Sequence, residues 1–295
     1  MEPESRPFLD REPLVAVRDP AAVLHGGVFH CFHTAVEPAG DEYALFVDVT
    51  TSRDLTEWTP PRRLTPPGLN FSSPGNVLWV DDRWALCLQS YPIAPGGQYG
   101  TDASRLWLME SSDLTHWSAP RLLQPDGCRA AWAHSRRQID PYLVRHDGRF
   151  WCFYKTDGSL GLLVSEAPTG GRAQWQEASD LRPVLSAADT PDGATVENPC
   201  IVRTGDEFVL FFAPCREGRG IGTARSNDLV RWHDVRYLDF PVVPWAPGGP
   251  TAAMVLDTRQ ERGSWTMFFH GDRLPPHGAA LGGAWSSDLE HWHLF

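Results

Sequence analysis

Four stretches of the chain share one spelling, a serine two residues before an aspartate, then a leucine, then a tryptophan three residues on. They are Ser52, Asp54, Leu55 and Trp58; Ser111, Asp113, Leu114 and Trp117; Ser226, Asp228, Leu229 and Trp232; and Ser286, Asp288, Leu289 and Trp292. Asp54 and Asp113 lie 59 residues apart, and Asp228 and Asp288 lie 60 apart. The 115 residues from Asp113 to Asp228 hold two periods with one degraded copy, at Ser165, Glu166, Ala167 and Trp175. The chain is therefore five units of about 57 residues, the signature of a propeller or solenoid, in which each unit buries an apolar face against the next.

The contents of the units decide between these two. In the third, apolar runs over 141–145, 150–155 and 160–165 are separated by His146-Asp147-Gly148 and Asp157-Gly158. Asp-Gly between apolar runs predicts a β-hairpin. The other units carry turn signals at His25-Gly26-Gly27, Asp81-Asp82, Thr204-Gly205-Asp206 and Glu261-Arg262-Gly263. The expected fold is all-β, a five-bladed β-propeller with four antiparallel strands per blade. It occupies 1–295 as one domain, with blades at approximately 14–66, 70–126, 137–185, 195–243 and 248–295.

With 42% hydrophobic residues, the chain has enough apolar surface for such a core. A net charge of −11 argues against nucleic acid or an anionic membrane surface as partner. No stretch is long and apolar enough to span a bilayer. The first seven residues lack the basic start and apolar run of a secretory signal, which predicts a cytoplasmic protein, though a secreted chain trimmed of its signal reads the same. The six cysteines show no Cys-x-x-Cys spacing, and Cys31, Cys87 and Cys152 read as small buried residues of second strands. Of the 13 tryptophans, the five at the repeat position are assigned to packing between blades. Trp79, Trp132 and Trp245 remain for a binding surface.

Each first strand is expected to open near a proline: Asp19-Pro20, Ser73-Pro74, Asp140-Pro141, Glu197-Asn198-Pro199 and, in the fifth unit, Gly249-Pro250. First strands line the channel of a propeller, so these openings share one mouth, and three of them carry acids. Three carboxylates at the mouth of an apolar barrel repel one another unless something uses them. Second strands run back to the same mouth and place Thr34, Gln89, Lys155, Ala213 and His270 around the acids. This is the polar rim of a pocket over a packed core.

Asp19 of Arg-Asp-Pro, Asp140 of Ile-Asp-Pro and Glu197 of Val-Glu-Asn-Pro, in that order on blades one, three and four, resemble the catalytic acids of glycoside hydrolase family 43. That resemblance implies a glycoside hydrolase acting on arabinose-, xylose- or galactose-type oligosaccharides, exo-acting and inverting. Asp19 would be the base that activates water, Glu197 the acid, and Asp140 the group that raises the pKa of Glu197. It requires no cofactor and allows a Ca or Na ion in the channel, with His270 as its ligand.

Residues expected to touch the sugar are Arg18, Asn76, Gln89, Tyr91, Trp132, His134, Lys155, Arg216 and Arg273. Most lie at strand ends or in loops above the mouth, where a rigid scaffold sets specificity. An oligosaccharide or glycoside is the expected partner, and the sequence leaves the oligomeric state open. Two alternatives stay open: an inverting glycoside phosphorylase, with basic residues binding phosphate, and a non-catalytic carbohydrate-binding propeller. A sialidase is a poorer match, because its repeated box carries Gly and Thr before the Trp.

Overall fold

A computed structural model describes residues 5–11, 16–40, 42–168, 174–273 and 278–295. Residues 14 and 15, assigned above to blade one, and the first four residues fall outside these. The described strands form five separate four-stranded antiparallel sheets, each in sequence order from its first strand to its fourth. Blade one is β1 (Ala16–His25), β2 (Val28–Ala39), β3 (Glu42–Ser52) and β4 (Arg62–Arg63). Blade two is β5 (Val77–Val80), β6 (Arg83–Gln89), β7 (Leu106–Ser111) and β8 (Arg121–Leu122). Blade three is β9 (Ile139–His146), β10 (Arg149–Thr156), β11 (Ser159–Ser165) and β12 (Gln176–Glu177). Blade four is β13 (Thr195–Thr204), β14 (Glu207–Cys215), β15 (Gly222–Ser226) and β16 (His233–Tyr237). Blade five is β17 (Gly249–Thr258), β18 (Ser264–Asp272), β19 (Ala279–Ser286) and β20 (His293–Leu294).

The expected turns fall where the signals placed them, with one difference. Glu261 and Arg262 belong to a single helical turn, α1 (Arg259–Arg262), which Gly263 closes in the left-handed region at φ 76°. No helix among the described residues is long and apolar enough to cross a membrane.

The repeated motif is a turn built from its own side chains. Ser52 Oγ accepts the amides of Asp54 and Leu55, and Asp54 Oδ1 accepts those of Thr56 and Glu57. Ser226 with Asp228 and Ser286 with Asp288 repeat this pattern, and Asp113 accepts its two amides in the same way. These bonds hold Leu55, Leu114, Leu229 and Leu289 at φ 61–70°, a conformation that a leucine adopts only when its surroundings over-determine it. Each leucine carbonyl then accepts the indole N–H of the motif tryptophan. In the degraded copy Ser165 Oγ still accepts the amides of Ala167 and Gln174.

Held this way, each tryptophan meets the preceding blade edge-on. Trp117 packs on Phe32, Trp232 on Phe153, Trp292 on Phe211 and Trp58 on Phe268, with ring centroids 5.4, 6.0, 6.1 and 5.9 Å apart. The four phenylalanines occupy one position of the second strand and are fully buried. The seam between blades two and three has Cys87 at that position, its Sγ against Pro141 O, and the degraded motif beyond it. Trp58 joins blade one to blade five, so the series closes the ring. The N-terminal segment reinforces this seam: Phe8 N and Leu281 N donate to Leu281 O and Leu9 O, and Phe8 stacks on Trp58 at 4.4 Å.

Candidate active site

In every blade the first strand breaks its ladder at the mouth with one residue in the left-handed region: Asp19, Ser73, Asp140, Asn198 and Ala252, at φ 40–52°. The register against the second strand shifts there in blades one, three, four and five. Asp, Asn and Ser are apt, because short polar side chains bond locally and tolerate this conformation. In four blades a proline follows. In blade five the bulge is Ala252-Ala253, so Pro250 is not the counterpart of the other prolines. In blade four Asn198 takes the bulge position and Glu197 precedes it, pairing with Ala213 as Arg18 pairs with Thr34. Asp19 and Asp140 therefore leave the backbone at one geometry and Glu197 at another.

A bulge turns its amide out of the ladder, and a buried amide needs an acceptor. The polar ring at the ends of the second strands supplies it. Ser73 N donates to Thr34 Oγ1 at 2.8 Å, Asp140 N to Gln89 Oε1 at 2.6 Å, and Asp19 N to His270 Nδ1 at 3.0 Å. Each contact joins one blade to the next. The ring read from sequence as a pocket rim is, at these three positions, a set of pins between blades. At the fourth, Lys155 has no acceptor to offer. Its Nζ instead donates to Glu197 Oε2.

Glu197 is held from both sides. Arg219 Nη1 donates to its other oxygen, Oε1, at 2.9 Å, and Arg219 Nε reaches Asp272 Oδ2 at 3.0 Å. Arg18 Nη2 lies 3.6 Å from Asp272 Oδ1. Lys155, Glu197, Arg219, Asp272 and Arg18 thus form one chain of alternating charge from blade three through four and five to one. Burial by itself would raise the pKa of Glu197, but Lys155 and Arg219 outweigh it and bring it down to about 2. Asp272 is also held well below the carboxylate range, with His270, Arg18 and Arg219 prevailing over burial.

Asp140 is the opposite case. It is 7% exposed. Burial, together with the charges of Glu197 and Asp19, raises its pKa from an ordinary 3.8 to about 7, against the pull of Lys155 and Arg137. The channel is lined by Asp19, Ser73, Asp140 and Asn198, among others. Asp19 Oδ2 accepts from Thr34 Oγ1 at 3.1 Å and Ser73 Oγ at 3.2 Å.

These two shifts have opposite consequences for stability. Between pH 3.8 and about 7 the folded chain keeps the Asp140 proton that the unfolded chain has released, so this contribution is lost as pH rises through that window. Glu197 contributes above its ordinary value of 4.5 and loses that contribution as pH falls toward about 2. Asp140→Asn removes the first effect alone. Melting curves are expected to find this variant gaining on the wild type at pH 8, with the gain shrinking steadily toward pH 4.

The remaining candidates are distributed as follows. Tyr91 OH accepts from Arg137 Nη2 at 3.1 Å, and the guanidinium lies 5.2 Å over the Tyr91 ring. Asn76 is buried and spans two blades, with Oδ1 accepting Leu143 N and Nδ2 donating to Leu143 O, both at 2.9 Å. The Trp132 indole donates to Ser179 O and packs on the core of blades two and three. The His134 amide donates to Asp157 Oδ2 at 2.6 Å, at the turn between β10 and β11. Arg216 pairs with Asp192 at 3.1 Å and lies over Tyr237, and Arg273 pairs with Asp10 at 2.7 Å. Neither is brought to the acids. Arg219 and Asp272, which sequence reasoning missed, take those places, each within three residues of the arginine expected there.

His270 Nδ1 spends its lone pair on the Asp19 amide, so its 3.6 Å approach to Asp19 Oδ1 is not an ion pair. Its buried Nε2 lies 3.6 Å from Asp272 Oδ1, longer than a hydrogen bond. Among the described residues no group of three or more His, Cys, Asp or Glu is placed to hold a metal ion.

No protein-family model matches the chain, and neither does any curated protein. Solved structures do. An exo-1,5-α-L-arabinanase from a bovine ruminal metagenomic library is 16% identical at TM-score 0.68, covering 95% of this chain and 96% of that one. The catalytic domain of a Coprinopsis cinerea GH62 α-L-arabinofuranosidase is 12% identical at TM-score 0.68, covering 95% of each chain. A Cellvibrio cellulosa α-L-arabinanase complexed with arabinohexaose is 16% identical at TM-score 0.67, covering 96% of each. This chain has their fold. The likeness runs over nearly the whole of each chain, so the five-bladed architecture is shared from end to end.

Proposed function

We propose that this protein hydrolyses glycosidic bonds of arabinose-containing oligosaccharides at the mouth of its propeller. The observation that carries this reading is the meeting of Asp19, Asp140 and Glu197, from three different blades, in one electrostatically linked cluster, with Asp19 and Asp140 lining the channel. Glycoside hydrolysis needs one carboxylate to activate water and one carboxylic acid to protonate the leaving oxygen. Environments that push neighbouring carboxyls apart in pKa are how one site holds both forms. Asp19 is assigned the base, taking the proton from the water that attacks C1 and inverts the anomeric centre. The sugar class is taken from the structural neighbours, which are described as arabinanases and an α-L-arabinofuranosidase.

The test is turnover of aryl α-L-arabinofuranoside and short arabino-oligosaccharides, with β-D-xyloside and galactoside as controls, with and without inorganic phosphate. Phosphate-independent release of arabinose is the expected result. Turnover only with phosphate would make it a phosphorylase, and binding of the oligosaccharide without cleavage would make it a binding propeller.

A further inference from the structure

We propose that the seam between blades one and two, away from the channel mouth, is a second carbohydrate site, in which Trp79 and Trp84 support a neutral oligosaccharide and a polar cavity beside them takes its hydroxyls. The choice of sugar rests on the hydrolase reading above; the site itself does not.

A cavity of about 290 Å³ opens at this seam, near the lower end of ligand pockets, which run from roughly 300 to 1,000 Å³. Strand register says which side chains face it. Phe32 of β2 meets Trp117 of blade two, so His30, two residues before it, is turned toward the same blade. Thr51 stands opposite His30 across β2 and β3, and Arg62 opposite Val49 across β3 and β4. Thr115, from the motif turn of blade two, closes the other side, and its carbonyl accepts Arg62 Nη2 at 2.9 Å. Thr59 Oγ1 accepts the Thr51 amide at 2.9 Å and lies 3.2 Å from Thr51 Oγ1.

This lining has hydrogen-bonding capacity to offer. Arg62 gives one of its five N–H groups to Thr115, and no hydrogen bond to the His30 ring occurs among the described residues. Buried Val49 and Leu114 supply an apolar wall. Donors and acceptors beside apolar surface suit a sugar ring, which carries hydroxyls on its edge and C–H groups on its face. An anion is served less well. Burial, and after it the charge of His25, lowers the pKa of His30, which leaves Arg62 as the one cation among the described lining residues of a chain with net charge −11.

The indoles adjoin the cavity through His25. Trp79, at the end of β5, is 48% exposed and meets Trp84 of β6 edge-on at 4.8 Å, and Trp84 meets the His25 ring at 5.1 Å. Trp84 packs on the core of blades one and two. An indole propped by a second, anchored indole and left half in water is a rigid platform for the face of a sugar. From Asp19 to His25 is six residues of β1, about 20 Å at the rise of a strand. A chain held here therefore leaves the acids free, and the site raises the local concentration of a long substrate without entering the chemistry.

The test follows the two indoles directly. Arabinohexaose is titrated into nitrogen-15-labelled Asp19→Asn protein, which is expected to leave it uncut, and the indole N–H signals of Trp79 and Trp84 are assigned by their loss in Trp79→Phe and Trp84→Phe. Saturable shifts of both signals are expected, and Trp79→Ala is expected to weaken the binding read at Trp84 about five- to tenfold, the worth of one aromatic contact. On an otherwise wild-type chain, Trp79→Ala is expected to keep kcat and KM on an aryl α-L-arabinofuranoside and to raise KM on long arabinan. Trp79 is exposed, so the variant keeps its fold; should it not, Thr51→Val, which retains the β-branched shape, decides on the same signals. Indole signals that stay in place while arabinohexaose shifts the amides around Asp19 overturn the second site and leave the hydrolase reading intact. Shifts that follow inorganic phosphate or protein concentration, and not the saccharide, overturn it as well, making the seam an anion pocket or a contact between copies. Saturable shifts at both indoles in a protein whose wild type cleaves no arabinoside uphold the site and overturn the hydrolase reading alone.

Discussion

Asp19→Asn is expected to lower kcat on arabinofuranosides by about 10²–10⁴-fold, the usual contribution of a general base, while leaving the melting temperature close to that of wild type. The fold is spared because asparagine accepts the positive φ of 49° at this bulge and retains an oxygen for the Thr34 and Ser73 hydroxyls. The amide that His270 holds is unaffected. A second variant separates loss of chemistry from loss of shape. Asp19→Gly also fits the backbone and opens space at the channel for a small anion. Azide, which attacks C1 without a base, is expected to restore turnover in Asp19→Gly and to give the inverted glycosyl azide, read by proton NMR. Failure of azide to rescue a folded variant would remove Asp19 from the role of base.

The architecture was legible because it is written in a structural motif. Ser52, Asp54, Leu55 and Trp58 and their repeats specify a turn that presents an indole to the preceding blade, and the same turn at a fixed period closes a ring. Asp19 and Asp140 were legible for a related reason: Asp-Pro at a strand opening is how a bulge appears in sequence, and acids at such bulges face the channel. The polar ring was misread because a side chain at a strand end looks the same whether it faces a ligand or a neighbouring bulge amide. Gln89 and His270 serve the amides of Asp140 and Asp19, and nothing in their own blades announces it. Asn76 and Trp132 were drawn into the site for the same reason and are spent between blades and on the core. The cations were misplaced because they sit in loops, where no periodicity says which of Arg216 and Arg219 turns inward. The state of Glu197 was out of reach of sequence altogether, since it depends on Lys155 from blade three and Arg219 from blade four arriving at opposite oxygens.

The largest loss of stability is expected from Phe268→Ala, about 3–5 kcal/mol in denaturant unfolding, the range for removing a buried phenylalanine. Phe268 is fully buried and meets Trp58 edge-on at 5.9 Å, Phe8 at 5.5 Å and Phe29 at 6.0 Å. Those three rings come from the blade-one motif, the N-terminal segment and β2. Phe153 and Phe211 hold the same repeat position, but in their seams the chain itself runs from one blade into the next. Between blades five and one, closure depends on side-chain contacts, the His270 bond to the Asp19 amide and the Arg18–Asp272 pair among them, and on the few backbone bonds of Phe8 and Leu9 to Leu281. A cavity at this seam therefore weakens the packing and the docking of the N-terminal segment together. Phe268→Ala is accordingly expected to cost more than Phe153→Ala and to speed proteolysis of the N-terminal segment, which Phe153→Ala leaves protected. Equal losses at the two positions would mean that these two seams bear the ring alike and that the N-terminal segment adds nothing to its closure.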